Sequence, residues 1–462
     1  MEGKLSQREI EIFETMPAPR AVAALAVPSV ISQLILVVYN LADTWYIGQL
    51  NDTEMMAAVT LSFPVFLMLT ALANLFGIGG ASLLSRSLGE HNYERARAAG
   101  ASSAWLAAAI TLAWSLAVML WRVPLLRALG ADAGTIDYAS GYLFWTVVVG
   151  GLPTVMNMLL AHLIRAEGAS REASVGMSIG GLLNILLDPL FIYDQGLGMG
   201  IEGAAVATCI SNAAAALYLL RYLFRSRKEN VISLSPRYLS LKRKVSGDII
   251  FVGLPSSIQF MMSVFSNAAL NYLMAAYTAS ALSAVGIVKK VDMVPTHVVQ
   301  GICSGVIPLM AYNYASGSYG RLWRCVRIAG LCSLGVTLSY LALCESFAPL
   351  VIRIFIDNSK TVEQGAAFLR MHCMATPFLA IFFLIVAFFQ ATGRGTPALF
   401  LSFLRKGALD IPFMAVMNIF WPMYGIMAVQ PMMDFITAAV CLMMYRLFQK
   451  SDGRKPEARE SS

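Results

Sequence analysis

The chain has 462 residues, of which 58% are hydrophobic and only 13% charged, and its mean hydropathy is +0.66. A soluble domain carries about 25% charged residues, so composition excludes an ordinary soluble protein and places the chain in a bilayer. The net charge of +7 and pI near 9.0 do not imply nucleic-acid binding, because the basic residues are parcelled between apolar runs rather than gathered on one soluble face.

In chain order, the first segment, 1–21, lacks the basic start, apolar core and small-residue cleavage site of a signal peptide, so no maturation cleavage is expected. Windows of about 20 apolar residues then predict twelve transmembrane helices. They lie near 22–48, 56–84, 99–121, 139–164, 173–194 and 201–223, then 250–276, 283–311, 325–345, 371–392, 396–421 and 424–447. Loop charge alternates along this series. Lys4, Arg8 and Arg20, then Arg86, Arg95 and Arg97, then Arg165 and Arg171 fall on one side. The cluster from Arg221 through Arg227, Lys228 and Lys244 joins them, as do Arg321, Arg324 and Arg327, then Arg394, Arg405 and Lys406. The loop at Asn51, Asp52 and Glu54 has no cation and lies opposite. The positive-inside rule therefore predicts a multi-pass plasma-membrane protein with both termini cytoplasmic. The seven cysteines, Cys209, Cys303, Cys325, Cys332, Cys344, Cys373 and Cys441, have no metal-binding spacing and read as small core residues.

The basic loop 224–249 divides the chain into a first lobe, 22–223, and a second, 250–447, followed by the tail 448–462. The halves share an ordered set of motifs. Val27-Pro28-Ser29 answers to Leu254-Pro255-Ser256, Ala58-Val59 to Ala284-Val285, and Leu152-Pro153 to Thr376-Pro377. Late in each half, Gly203 to Thr208 answers to Gly425 to Pro431. Six spans per half is an even number, so both halves enter the membrane in the same sense, and the pseudo-twofold is parallel, along the membrane normal.

Two carboxylates stand in otherwise lipid-soluble helix: Asp43 in the first span and Asp188 in the fifth. A charge there is costly, and such residues usually mark an ion or substrate path. Topology puts both in the outer half of the membrane, with Thr208 of the sixth span at similar depth. Asn184 precedes Asp188 by one helical turn on the same face. The alternative is that the two acids cap helix ends or form satisfied hydrogen bonds near the interface. The same oxygens suit a proton or sodium, and the sequence does not choose between them. Pro28 can bend the first helix by removing a backbone donor.

Tyr39-Asn-Leu-Ala-Asp43-Thr-Trp-Tyr-Ile-Gly48, Ile164-Arg-Ala-Glu-Gly168, Asn184-Ile-Leu-Leu-Asp188-Pro189, Gly198 to Thr208, Gly301 to Pro308 and Gly425 to Asp434 together resemble the multidrug and toxic compound extrusion (MATE) family. The resemblance implies an all-α membrane protein of twelve helices in two six-helix lobes with a V-shaped fold. It also implies an antiporter that exports bulky, usually cationic, amphipathic compounds in exchange for H+ or Na+. It carries cation coupling onto Asp43, Asn184, Asp188 and Thr208, and makes the Pro28 bend part of the motion. No other cofactor or metal is implied.

The second lobe departs from family members with acids in the seventh and tenth spans, since this chain has none there. It offers Lys289, Lys290 and Asp292 in the eighth span and Asp410 in the eleventh; Lys289 and Asp292, spaced i, i+3, are placed to pair. Glu167 is expected to form a loop ion pair with Arg165 or Arg171. The 25 Met, 24 Phe and 17 Tyr residues suit a soft, aromatic lining. Polar candidates for the substrate cleft are Gln33, Tyr39, Asn157, Asn267 and Gln300, with Lys289. The expected partners are a small molecule and the lipid bilayer, with no nucleic acid and a monomeric state. A flippase for a lipid-linked precursor is the nearest rival. A membrane-embedded enzyme is disfavoured, because His91, His162, His297 and His372 are scattered and no HExxH is present.

Overall fold

The computed structural model describes residues 5–50, 52–226, 230–406 and 410–452. Lys4, Asn51, Arg227, Lys228 and the tail beyond residue 452 lie outside the described residues. The regular structure described is entirely helical, as a bilayer demands when each segment must satisfy its own backbone polar groups. In chain order the helices are α1 (Gln7–Ile10), α2 (Ala18–Gly48), α3 (Thr53–Gly89), α4 (Tyr93–Ala128), α5 (Ile136–Leu143), α6 (Gly151–Ala166), α7 (Ser170–Ile192) and α8 (Gly200–Arg225). They continue with α9 (Asp248–Ala275), α10 (Ala279–Ala315), α11 (Tyr319–Arg353), α12 (Ser359–Cys373), α13 (Thr376–Ala391), α14 (Gly395–Lys406), α15 (Asp410–Phe420) and α16 (Tyr424–Asp452).

Ten helical stretches are long and apolar enough to cross a membrane among the described residues, and α12 with α13 counts as one of them. An eleventh is a bent pair: Ile136–Val149 and Gly151–Ala166 meet at 46°. The span expected near 396–421 corresponds to α14 and α15, which flank residues 407–409, outside the described residues.

The irregularities recur at matching places in the two halves. The α4 backbone leaves helical geometry at Trp121, just before Pro124, and α11 does so at Phe347, just before Pro349. Proline lacks the N–H that would bond one turn back, so helices bend on its N-terminal side. The fourth span breaks at Gly150, before Pro153, and α12 ends at Cys373, before Pro377 in the first turn of α13.

The chain forms two compact units, Met1–Met16 with Ile31–Ser257, and Pro17–Val30 with Ile258–Ser462. The division cuts α2 shortly after Pro28 and α9 shortly after Pro255, so the start of each helix belongs to one unit and the remainder to the other. Within the first unit, α3 crosses the start of α9 at backbone contact. A Cβ on Gly79 would lie 1.9 Å from the Ile249 carbonyl oxygen, and one on Gly253 would lie 1.7 Å from that of Leu75. The second unit repeats the crossing between α10 and the start of α2, where a Cβ on Gly305 would lie 2.6 Å from the Leu25 carbonyl oxygen. Small residues let membrane helices approach this closely, and the approach supplies packing energy that lipid exclusion does not.

These crossings make a stability prediction. Gly79→Ala and Gly305→Ala force backbones apart and cost about 1–3 kcal/mol by overpacking. Gly286→Ala and Gly335→Ala, where nothing lies within 4 Å, should leave stability unchanged or raised by roughly 0.5–1 kcal/mol. Thermal unfolding of the purified variants checks the contrast; equal Tm values for the two pairs would remove the crossings as determinants.

Candidate ion-coupling site

The first-unit part of α2 runs beside α7, and the contacts climb both helices in the same order. Ser32 Oγ donates to Ser174 Oγ at 3.5 Å, Gly181 faces Ile35 and Tyr39, and Tyr193 OH donates to the Tyr46 carbonyl at 3.3 Å. A parallel pair in this register brings Asp43 and Asp188 to one level. Asp43, Asp188 and Tyr39 lie within electrostatic reach of one another, and Tyr142 of α5 joins them. Tyr142 was not legible as a site residue, because only the packing of α5 against α3, α4 and α8 brings it there. Directly after it the chain makes one π-helical turn, Phe144–Val149, a distortion frequent at functional sites.

Asn184 organises the buried oxygens. Its Nδ2 donates to Asp188 Oδ1 at 3.2 Å and to Thr208 Oγ1 at 3.3 Å. Asp188 is 0% exposed and Asn184 2% exposed. Asp188 Oδ2 and Asn184 Oδ1 are both buried without a hydrogen-bond partner, and neither Asp43 nor Asp188 forms an ion pair among the described residues. A buried acceptor left unpaired costs roughly 1–3 kcal/mol, more when charged. Neither acid caps a helix: Asp188 sits inside α7 and Asp43 inside α2.

One turn deeper on α7, a Cβ on Gly180 would lie 3.7 Å from Asn157 Nδ2. Asn157 donates to Asn212 Oδ1 at 3.1 Å, and Asn212 donates to Thr154 Oγ1 at 3.2 Å, joining α6 to α8. Asn157 thus belongs to an internal network of the first unit. Gln33 is half-buried on α2, as is Pro28, around which α2 stays helical.

In the second unit, Asn267 is exposed on α9, while Gln300 and Lys289 are half-buried on α10. The expected Lys289–Asp292 pair is not formed. Asp292 Oδ2 instead faces His372 Nε2 at 3.3 Å, because α12 packs beside α10 and presents an imidazole there. Arg405 and Lys406 are likewise not loop cations; they are 6% and 7% exposed in the last turn of α14. Arg405 grips Asp434 through Nε at 2.6 Å and Nη2 at 3.2 Å and lies over the Phe382 ring. Lys406 Nζ reaches Asp410 Oδ2 at 3.5 Å and donates to Gln430, whose Nε2 donates to Asp434 at 2.9 Å. Ser266 Oγ donates to Asp410. Arg405 and Lys406 adjoin residues 407–409 and carry ordinary loop composition, so the sequence has no signal that the turn folds inward.

At the α6–α7 turn, Glu167 makes no ion pair with Arg165 or Arg171 among the described residues, because Arg165 is itself buried and turns its guanidinium to the Met177 sulfur at 2.8 Å. Glu167 Oε1 accepts the Ile232 N–H at 2.5 Å, and Gly168, at φ +100°, abuts Phe13 and Glu9. Burial, with the Glu9 charge beside it, pushes the Glu167 carboxyl up to about 8.

The pH consequence has a definite sign. A carboxyl raised above its unfolded value of 4.5 binds its proton more tightly when folded, so stability falls as pH rises from 4.5 to about 8 and is flat beyond. Glu167→Gln should match wild-type Tm near pH 4.5 and exceed it near pH 8.5; a wild-type pH slope in the variant would contradict this.

The described helices thus form a multi-spanning membrane bundle that buries a carboxylate, Asp188, with no ion pair among the described residues. The MatE family model matches residues 28–190 and again 255–416, so it covers both halves and opens each at Pro28 and Pro255. The chain belongs to the MatE family, and its class is the secondary active MATE-type antiporter. It is similar to the multidrug export protein MepA of Staphylococcus aureus, 29% identical over 427 residues, 91% of this chain and 92% of that protein. The MepA of Staphylococcus saprophyticus is 27% identical over 458 residues, 99% of this chain and 100% of its own. Among solved structures, a multidrug resistance MATE family transporter in an outward-facing conformation aligns with TM-score 0.88 at 24% identity, over 97% of this chain and 99% of its own. A MOP superfamily transporter from Pyrococcus furiosus, described as having a binding pocket of reverse polarity, aligns with TM-score 0.85 at 25% identity, over 97% of this chain and 99% of that one.

Proposed function

We propose that this antiporter exports bulky, cationic, amphipathic compounds across the plasma membrane in exchange for H+ or Na+. Asp43, Asn184, Asp188 and Thr208 form the coupling site, with Tyr39 and Tyr142 beside it. The observation that carries this reading is the pair of buried, unpartnered oxygens, Asp188 Oδ2 and Asn184 Oδ1. A site whose acceptors exceed its donors binds a proton or a small hard cation and releases it when a cationic compound or a conformational change supplies competition. The export of many drugs by the MepA relatives supports the substrate class. The lobes 22–223 and 250–447, both termini cytoplasmic, move by alternating access, with Pro28 at the joint in α2. Gln33, Asn157, Asn267, Gln300 and Lys289 remain the polar positions to probe for substrate contact. A flippase reading draws no support from Arg405, whose guanidinium is already bound by Asp434.

Everted vesicles loaded with neither ion and supplied with ethidium test both direction and coupling. Under an imposed pH or sodium gradient, wild-type protein should accumulate ethidium, whereas Asp43→Asn and Asp188→Asn at equal expression should reduce the rate by at least tenfold, since an amide keeps the shape but cannot exchange a proton. Wild-type accumulation by either variant removes that residue from the coupling site.

A further inference from the structure

We infer that Asp292 and His372 form a second proton-exchange site, inside the second unit and separate from the Asp43–Asp188 set. The inference rests on the antiport reading above and adds a site that the family's seventh- and tenth-span acids, absent here, do not supply.

The geometry is that of a buried acid and base facing each other. His372 Nε2 lies 3.3 Å from Asp292 Oδ2, with side chains 5% and 18% exposed, and Thr296 Oγ1 donates to the same carboxylate oxygen at 3.4 Å. The far atoms of the dyad, His372 Nδ1 and Asp292 Oδ1, are buried and have no hydrogen-bond partner, and the neighbouring Tyr340 OH is in the same condition. Unpartnered donors and acceptors on three helices, α10, α11 and α12, leave room in the hydrogen-bonding for a mobile proton or a relay water.

Charge balance gives the dyad its role. The other carboxylates of this unit's interior are matched: Asp434 by Arg405 and Asp410 by Lys406. Among the described residues, Asp292 has only His372 as its ion-pair partner, while Lys289 on the same helix and Arg405 on α14 act on it from farther away. From α11, Tyr340, Cys344 and Glu345 face the dyad's surroundings, and Cys373 faces them from α12. With the proton on the dyad, the pair is Asp292 carboxylate with imidazolium; losing it to water leaves the carboxylate with neutral imidazole and adds one negative charge to the unit. That negative charge is what a cationic substrate requires.

A polar route leads away from the dyad. Tyr340 neighbours Asp292 and the two thiols, Cys373 Sγ lies 3.8 Å from Glu345 Oε1, and Glu345, with side chain 38% exposed, faces Arg370 at 4.0 Å. In the proposed orientation α11 ends and α12 begins on the outer side, so this route opens toward the compartment that supplies protons.

The test is proton release on ethidium binding to the purified full chain, read with a pH indicator over roughly pH 5.5–8.5. Wild-type protein should release protons in two pH-separated steps. Asp43→Asn should lose one step and keep the other; His372→Gln should keep the first and lose the second, with about half the wild-type release, while still binding ethidium near pH 8.5. Asp292→Asn should also lose the second step and, lacking the carboxylate, should bind ethidium more weakly than His372→Gln near pH 8.5. Loss of both steps in Asp43→Asn alone, or full wild-type release from His372→Gln at every pH, overturns the second site. The first outcome leaves the antiport reading intact; sodium release without proton release overturns the second site alone, and release of neither protons nor sodium from any form of the protein overturns the antiport reading itself. Should the dyad variants fail to fold, the ethidium-induced infrared difference spectrum of ¹⁵N-histidine-labelled wild-type protein decides: a histidine ring band that appears on binding is expected, and its absence contradicts the proposal.

Discussion

A polar group in a hydrocarbon slab has no water to fall back on, so each must find its partner within the protein or carry a titratable proton or a bound ion. The rest of this structure follows from how its two units meet that demand. The second unit mostly neutralises itself: Arg405 holds Asp434, Lys406 holds Asp410, and Gln430 ties the two pairs together. The first unit leaves its demand open: Asp188 Oδ2 and Asn184 Oδ1 are buried without a hydrogen-bond partner, and Asp188 forms no ion pair among the described residues. A buried ion pair is a poor source of stability but a strong constraint on geometry, whereas an open acceptor set is a poor constraint and a good exchange site.

The same economy shapes the helices. Prolines stand where the chain must bend, at Pro124 and Pro349, and glycines stand where backbones touch, at Gly79, Gly253 and Gly305. The two crossings join the start of α9 to the first unit and the start of α2 to the second. A helix whose two parts belong to different compact units is a mechanical link between them, and in α2 that link runs from Pro28 directly into the stretch that carries Tyr39 and Asp43.

Much of this was legible in the sequence, for physical reasons. Apolar windows reveal spans because lipid tolerates little else, so the helix series follows the expected one closely. The Asn184–Asp188 pair was readable because a helical turn places the two side chains on one face. Tyr142, Asn212 and His372 were not readable, since each reaches its partner only through packing between helices distant in the chain. Arg405 and Lys406 misled in the opposite direction: a basic pair beside a helix end looks like a cytoplasmic loop, and only acids far along the chain, Asp434 above all, draw it inward. Glu167 was misread for a similar reason, because its partner is a backbone N–H at Ile232 rather than a neighbouring arginine.

The central claim is that the drug and the coupling ion compete for buried carboxylate charge, and equilibrium binding tests it most directly. Ethidium affinity should be measured on the purified protein across pH, and across sodium concentration at constant ionic strength. The account predicts that protons or sodium weaken ethidium binding, and that ethidium weakens binding of the same ion by the same factor, as linkage requires. An ethidium affinity indifferent to both ions would contradict it.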